Sequence, residues 1–321
     1  MYKFIWLVVL LLLLMLMSLF IGPREISYPV TLQAIFDFDS NNTLHLIVHY
    51  LRIPRTLLAV LVGAALGVSG VIIQGLTRNP LADPGILGIN AGAMAMIVVA
   101  IAFFGVADVD RYLWFGFAGA GLTGLLVYLL AGRGNALDSV RFVLAGTALT
   151  IVLLGITNLI TLNSHQEVFN QFRHWIVGSL QGRTYEVLKP VSLCVSLGLV
   201  LAYLLAKPLD SVVLGEQLGA SLGVNTKLLW GAACVVIMIL AGSATAAVGP
   251  ISFLGLTAPH IAKLMIGTEH RKLLPFSMLV SAILLLGADI LGRIIGHPNE
   301  ISAGVMVALL GGPFFLLLVR R

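Results

Sequence analysis

The chain has 321 residues, of which 59% are apolar and 10% charged, with a mean hydropathy of +1.03 and a formal net charge of +5. That balance excludes a soluble domain of this length and leaves a polytopic membrane protein. The positive charge does not signal a nucleic-acid partner, because the basic residues are scattered over loop ends and form no patch.

A bilayer core is crossed by about 20 apolar residues in a helix. Ten stretches qualify as candidate spans: 4–21, 57–75, 86–104, 112–131, 140–162, 191–206, 228–248, 251–266, 274–295 and 301–319. The alternation that marks a membrane barrel is absent, so the sequence predicts an all-α bundle. Span 4–21 is too long and uniformly apolar for the core of a cleaved signal. No small-residue cleavage site follows before Gly22-Pro23, and it reads as a retained helix.

The stretch "HYLRIPRTLLAVLVGAALGVSG" (49–70) starts with Arg52 and Arg55, three apart and therefore on one helical face at the lip of an apolar segment. With Pro54 suited to the first turn, the arginines read either as headgroup anchors or as a site that holds a partner. Farther along, Gly63, Gly67 and Gly70 form a small-residue stripe that predicts close helix packing. "DPGILGI" (83–89) finds an echo in "GPISFLGL" (249–256), each opening a span from an opposite side, as an inverted repeat would.

Span 140–162 carries Thr147, Thr150, Thr157 and Thr161 on one face, with Asn158 beside them. The stripe either lines a pathway for a large polar cargo or bonds back to its own carbonyls. The outer stretch 163–190 contains a short amphipathic segment at 172–180, and Cys194 and Cys234 in later spans read as buried hydrophobes. The inner stretch 209–226 is too short to span. Gly215, Gly219 and Gly223 punctuate two stub helices that keep Val212, Val213, Leu214, Leu218 and Leu222 available for packing, which fits a docking role better than a plain connector. In span 274–295, Asp289 lies four residues before Arg293, the spacing of a structural ion pair that would hold Arg293 near the outer surface.

Ten spans place both termini on one side. With that side cytoplasmic, eleven of the nineteen lysines and arginines lie inside and eight outside. Neither G-x-x-x-x-G-K-[ST] nor H-E-x-x-H occurs, no Cys/His cluster suggests a metal, and Asp289 is the lone carboxylate within a span. These absences argue against an intramembrane enzyme or an ion-coupled carrier, and any ATPase would be another chain.

The stretches "LRIPRTLLAVLVGAALGVSGVIIQGLTRNPLADPGILGINAGA" (51–93), "WIVGSLQGR" (175–183), "LGEQLGASLGV" (214–224), "GPISFLGLTAPHIAKL" (249–264) and "ADILGR" (288–293) together resemble the FecCD-type permease family, the transmembrane subunits of ABC importers for iron–siderophore complexes, haem and cobalamin. The resemblance implies the type II importer fold, with about ten transmembrane helices in one permease domain (1–321) in a bacterial cytoplasmic (inner) membrane. It implies a second permease subunit, identical or homologous, a dimer of ATP-binding cassette ATPases and an extracytoplasmic substrate-binding protein. This chain would bind no cofactor itself, ATP and Mg belonging to the ATPase. Arg52, Arg55 and Arg293 would dock acidic residues of the binding protein. Segment 209–226 would supply the coupling helices, with Leu214, Gly215, Leu222 and Gly223 at the ATPase contact. Asn79, Leu87 and Asn90 would border the inner gate. The form of W-I-V-G-S-L-x-G resembles the siderophore branch rather than the cobalamin branch, although Tyr185 stands where that branch usually has Trp. The expected cargo is therefore a ferric siderophore, with haem or cobalamin as the alternative.

Overall fold

All ten candidate spans form helices, and several of the breaks between them, at Gly22-Pro23, Gly105, Gly249-Pro250 and Gly267, fall where proline removes a donor or glycine allows a tight backbone. The computed structural model describes residues 2–106, 108–132, 139–213, 215, 219, 221 and 223–319, and all regular structure among them is helical. In chain order the helices are α1 (Tyr2–Phe20), α2 (Tyr28–Phe36), α3 (Thr43–Ile47) and α4 (Ile53–Thr77), followed by α5 (Ile89–Phe104), α6 (Val109–Ala131) and α7 (Ser139–Leu162). Then come α8 (Gln166–Ile176), α9 (Tyr185–Leu204), α10 (Ala206–Val213), α11 (Thr226–Val248), α12 (Leu254–Ile266), α13 (His270–Ile295) and α14 (Ala303–Val319). Among the described residues, seven helical runs are long and apolar enough to cross a membrane, and three shorter apolar helices, Ile89–Phe104, Leu254–Ile266 and Ala303–Leu316, accompany them.

The most buried helix is α4, packed against α9, α11, α12 and α13. Its small-residue stripe makes this possible: a Cβ on Gly63 would stand 2.7 Å from the Ala282 Cα, and one on Gly70 only 1.9 Å from the Gly255 carbonyl oxygen. The Ser277 hydroxyl bridges α13 to the Gly67 carbonyl at 3.0 Å, satisfying a donor that lipid could not. By contrast, α1 buries little beyond Leu11 and Ser18, and much of α7 is exposed, including Leu144, Ile151 and Leu159.

Three boundaries differ from expectation for physical reasons. A wide π turn at Val48–Arg52 joins α3 to α4, so Arg52 and Arg55 lie inside one helical run, Thr43–Thr77, rather than at its lip. The amphipathic segment expected at 172–180 is α8, starting at Gln166, whose Phe172 and Trp175 turn inward before the chain bends at Gly178, φ +75°. The next helix begins at Tyr185 and runs through Pro190, with Thr184 as its cap, its hydroxyl accepting from the Glu186 N–H at 3.4 Å.

The two echo segments are both helix breaks and they meet. Asp83 caps the 3-10 turn Pro84–Leu87 by accepting the Gly85 N–H at 2.8 Å, and burial holds its carboxyl above the usual carboxylate range. Gly255, in the first turn of α12, lies against the Pro84 ring and the Asp83 carboxylate. At the same break Phe253 takes φ +70°, a left-handed conformation uncommon for a bulky residue.

Candidate functional site

The three arginines singled out, at the start of α4 and the end of α13, converge, and all three are buried, Arg52 at 5%, Arg55 at 9% and Arg293 at 2% exposure. Burying guanidiniums is costly unless each charge is paired and each N–H finds an acceptor. Arg293 donates to the Asp289 carboxylate through Nε at 3.1 Å and again through Nη2. The Asp289–Arg293 ion pair expected from the i,i+4 spacing is therefore present. Its Nη1 donates to the Ser18 and Ile21 carbonyls at 2.9 and 2.7 Å, and Nη2 also reaches the Ser18 hydroxyl at 2.8 Å. A guanidinium has five N–H groups, and those of Arg293 are all engaged.

The same carboxylate serves Arg55, whose Nε lies 3.3 and 3.2 Å from the two Asp289 oxygens and whose Nη2 donates at 2.7 Å. Arg55 Nη1 donates to Glu300 at 2.7 Å. Arg52 has no acidic partner among the described residues. Its Nη1 donates to the Leu19 and Phe20 carbonyls at 2.8 and 3.0 Å, and its Nη2 to the Arg24 carbonyl at 2.6 Å.

Helix α1 explains why so many carbonyls are available. The last turn of a helix leaves its C=O groups without intrahelical donors, and that end carries partial negative charge. Arg52 and Arg293, from two other helices, supply the missing donors to the α1 terminus. A Cβ on Gly22 would lie 2.8 Å from Arg52 Nη2, so the chain leaving α1 must be bare where the guanidinium crosses it.

The charges do not balance. Three guanidiniums face two carboxylates, Asp289 and Glu300, and a cavity of about 260 Å³ opens beside them, with Arg24, Gln181 and Gly182 also on its wall. Arg55 keeps one unused N–H on each terminal nitrogen, and Arg52 keeps Nε–H and one N–H of Nη2, among the described residues. The site can therefore accept a further anion. Glu300 was missed by sequence reasoning, although counting charges signals it: Asp289 alone leaves two outer cations unmatched, and Glu300 lies in the next outer connector.

The remaining expected residues are spread across the molecule. Thr147, Thr157 and Thr161 donate to the carbonyls of Val143, Leu153 and Thr157 at 2.7, 2.8 and 2.7 Å, so three of the four hydroxyls of the stripe bond back to their own helix. Thr147 and Asn158 are exposed, Thr157 is buried, and Thr150 and Thr161 are half-buried. Asn79 is exposed and caps a turn by accepting the Leu81 N–H at 2.9 Å. Leu87 is buried, and Asn90 accepts the Thr245 hydroxyl at 2.8 Å across to α11. In the inner segment 209–226 the first stub is α10, which begins at Ala206 and buries Leu209 and Val212. Gly215 and Gly223 adopt φ +127° and +85°, conformations that favour glycine, while Leu214, Leu218 and Leu222 lie outside the described residues. Asp210 of α10 accepts from the His270 backbone N–H at 3.0 Å and lies 2.6 Å from its Nδ1 at the start of α13.

With this geometry in view, residues 10–321 match the model of the FecCD transport family. The chain is 42% identical over 306 residues to the "Ferric enterobactin transport system permease protein FepD" of Escherichia coli (strain K12), covering 95% of this chain and 91% of the relative. It is 37% identical, with the same coverage, to the "Probable siderophore transport system permease protein YfiZ" of Bacillus subtilis (strain 168). A solved structure described as "An inward-facing conformation of a putative metal-chelate type ABC transporter" superposes with a TM-score of 0.84 at 30% identity, covering 99% of this chain and 98% of that one.

Proposed function

Because the chain belongs to the FecCD transport family, we propose that it is the transmembrane permease subunit of an ABC importer that moves ferric-siderophore complexes across a bacterial cytoplasmic membrane. The ferric enterobactin and siderophore permeases to which it is similar suggest the cargo class. Iron in that form travels chelated, so the permease needs to ligate no metal. The three shorter apolar helices complete a set of ten spans in one domain, residues 1–321.

The machine is completed by a second permease subunit, a dimer of ATPases that carry the ATP and Mg, and a binding protein on the outside. The observation that carries the docking part of this reading is the unbalanced positive charge beside the outer cavity. Acidic side chains of the loaded binding protein settle at Arg52, Arg55 and Arg293; Arg52 and Arg55 have N–H groups to spare, whereas Arg293 must release a present bond to take part. ATP binding closes the ATPase dimer, and segment 209–226, through Leu214, Gly215, Leu222 and Gly223, passes the movement to the bundle. The gates alternate, with Asn79, Leu87 and Asn90 at the inner one. The cargo moves along the axis between the two permeases, past Thr147, Thr150, Thr157, Asn158 and Thr161.

The test is uptake of radioactive iron chelates into proteoliposomes holding this chain with and without its ATPase. Accumulation is expected to require the ATPase and its ATP, and iron entry in its absence would overturn the importer reading. In the same system Arg52→Glu with Arg55→Glu is expected to abolish uptake while the ATPase stays bound. Binding-protein affinity unchanged in that double variant would remove the docking role.

A further inference from the structure

Glu300 holds Arg55 at Nη1, one of the two terminal nitrogens that a forked contact with an outside carboxylate would use. A guanidinium offers two edges that hold a carboxylate with two parallel bonds, and such forked pairs are stronger than single contacts. Asp289 fills the edge formed by Nε and Nη2 of Arg55, and Arg293 holds Asp289 in place from the other side. Away from that edge Glu300 makes a single bond, to Nη1 at 2.7 Å, and no forked pair with Arg55. Glu300 also stands on the wall of the cavity, whereas Asp289 is fully buried.

Resting on the docking reading above, we infer that Glu300 is a placeholder carboxylate, which an acidic side chain of the incoming binding protein displaces from Arg55 to form a forked pair. Of the two internal carboxylates, Glu300 is the displaceable one, because it has a single guanidinium and a single bond where Asp289 has two guanidiniums. Its departure removes the one ion pair among the described residues that fixes the connector 296–302, between α13 and α14, to α4. The connector's backbone is bonded to α13, the Ile301 N–H donating to the Gly292 carbonyl at 3.1 Å, and just beyond it, in the first turn of α14, the Gly304 N–H donates to the Gly178 carbonyl at 2.8 Å. Gly178 lies in the bend that follows α8, whose next residue Ser179 donates to the Val248 carbonyl at the end of α11 at 2.7 Å. Displacing one side chain at the docking pocket thus removes the side-chain tie from a segment whose backbone bonds reach α13 and the bend after α8.

The placeholder imposes a measurable penalty. When the binding-competent state is only a fraction of the population, the apparent Kd rises by the inverse of that fraction. Removing the competitor therefore tightens docking. The experiment measures the Kd of the complete transporter in nanodiscs for its cognate, chelate-loaded binding protein. Glu300→Gln is expected to lower Kd about tenfold, the factor that corresponds to about 1.4 kcal/mol. A missing negative charge also attracts an acidic partner at long range, and Glu300→Asp separates the two causes. Asp keeps the charge but is one methylene too short to hold Arg55, so it is expected to tighten docking in the same direction. Tightening by Glu300→Gln alone, or by neither variant, overturns the placeholder. Arg52→Glu with Arg55→Glu, measured alongside, reads the docking site itself: wild-type affinity there would overturn the docking reading instead.

Discussion

At the scale of single residues, Asp289 organises the outer site. It is fully buried and pairs with guanidiniums from α4 and from its own helix; among the described residues Arg293 has no other carboxylate partner, and Arg55 has Glu300 besides. Breaking a buried pair by removing one partner leaves an uncompensated charge and costs about 3–5 kcal/mol. Asp289→Asn keeps the volume and removes the charge, so it is expected to lower the midpoint of thermal unfolding of the detergent-solubilised protein markedly. A midpoint equal to wild type would show that the arginines find other acceptors. The sequence showed half of this cluster. The spacing of Asp289 and Arg293 reads directly as a helical pair, and Arg52 and Arg55 stand out because charges at a span demand an explanation. The Arg55–Asp289 bond joins residues 234 apart in sequence, and local periodicity carries no information about such a contact.

At the scale of elements, close approaches rather than propensities decide the packing. On α7 a Cβ at Gly146 would stand 1.7 Å from the Ile86 carbonyl oxygen, whereas one at Gly121 on α6 meets nothing within 4 Å. Gly146→Ala must push α7 off the Pro84–Leu87 turn, an overpacking cost of about 1–3 kcal/mol or more. Gly121→Ala is expected to be neutral or to stabilise by up to about 1 kcal/mol, because alanine is the better helix former. Thermal midpoints of the two variants measured side by side check this, and equal losses would mean that helix α7 has room to shift. The spans themselves were legible because their apolar length is a local property. The start of α8, the π turn before α4 and the run of α9 through Pro190 were not. Each depends on what packs behind the backbone at that point, as Phe172 and Trp175 do for α8.

At the scale of the whole molecule, α13 links the two ends of the proposed machine. Its 26 residues span about 39 Å at the helical rise of 1.5 Å per residue. His270 at its inner end is bonded to Asp210 of α10, and Asp289 and Arg293 sit near its outer end. On the proposed coupling role of 209–226, Asp210→Ala is expected to leave ATP hydrolysis by the bound ATPase intact while uptake in proteoliposomes falls. Uptake that stays at the wild-type level would show that the movement reaches the bundle by another route. By itself, the sequence determined the class of the protein and the positions of its apolar helices, because hydropathy and small-residue spacing act over a turn or two of helix. It also marked the charged residues that needed partners. Only the tertiary structure decided which partners they take: that Arg52 and Arg293 close the end of α1, that Arg55 shares Asp289, and that Glu300 pairs with Arg55 on the wall of a cavity. Those choices depend on distances between helices far apart in the chain, and such distances arise only when the bundle packs.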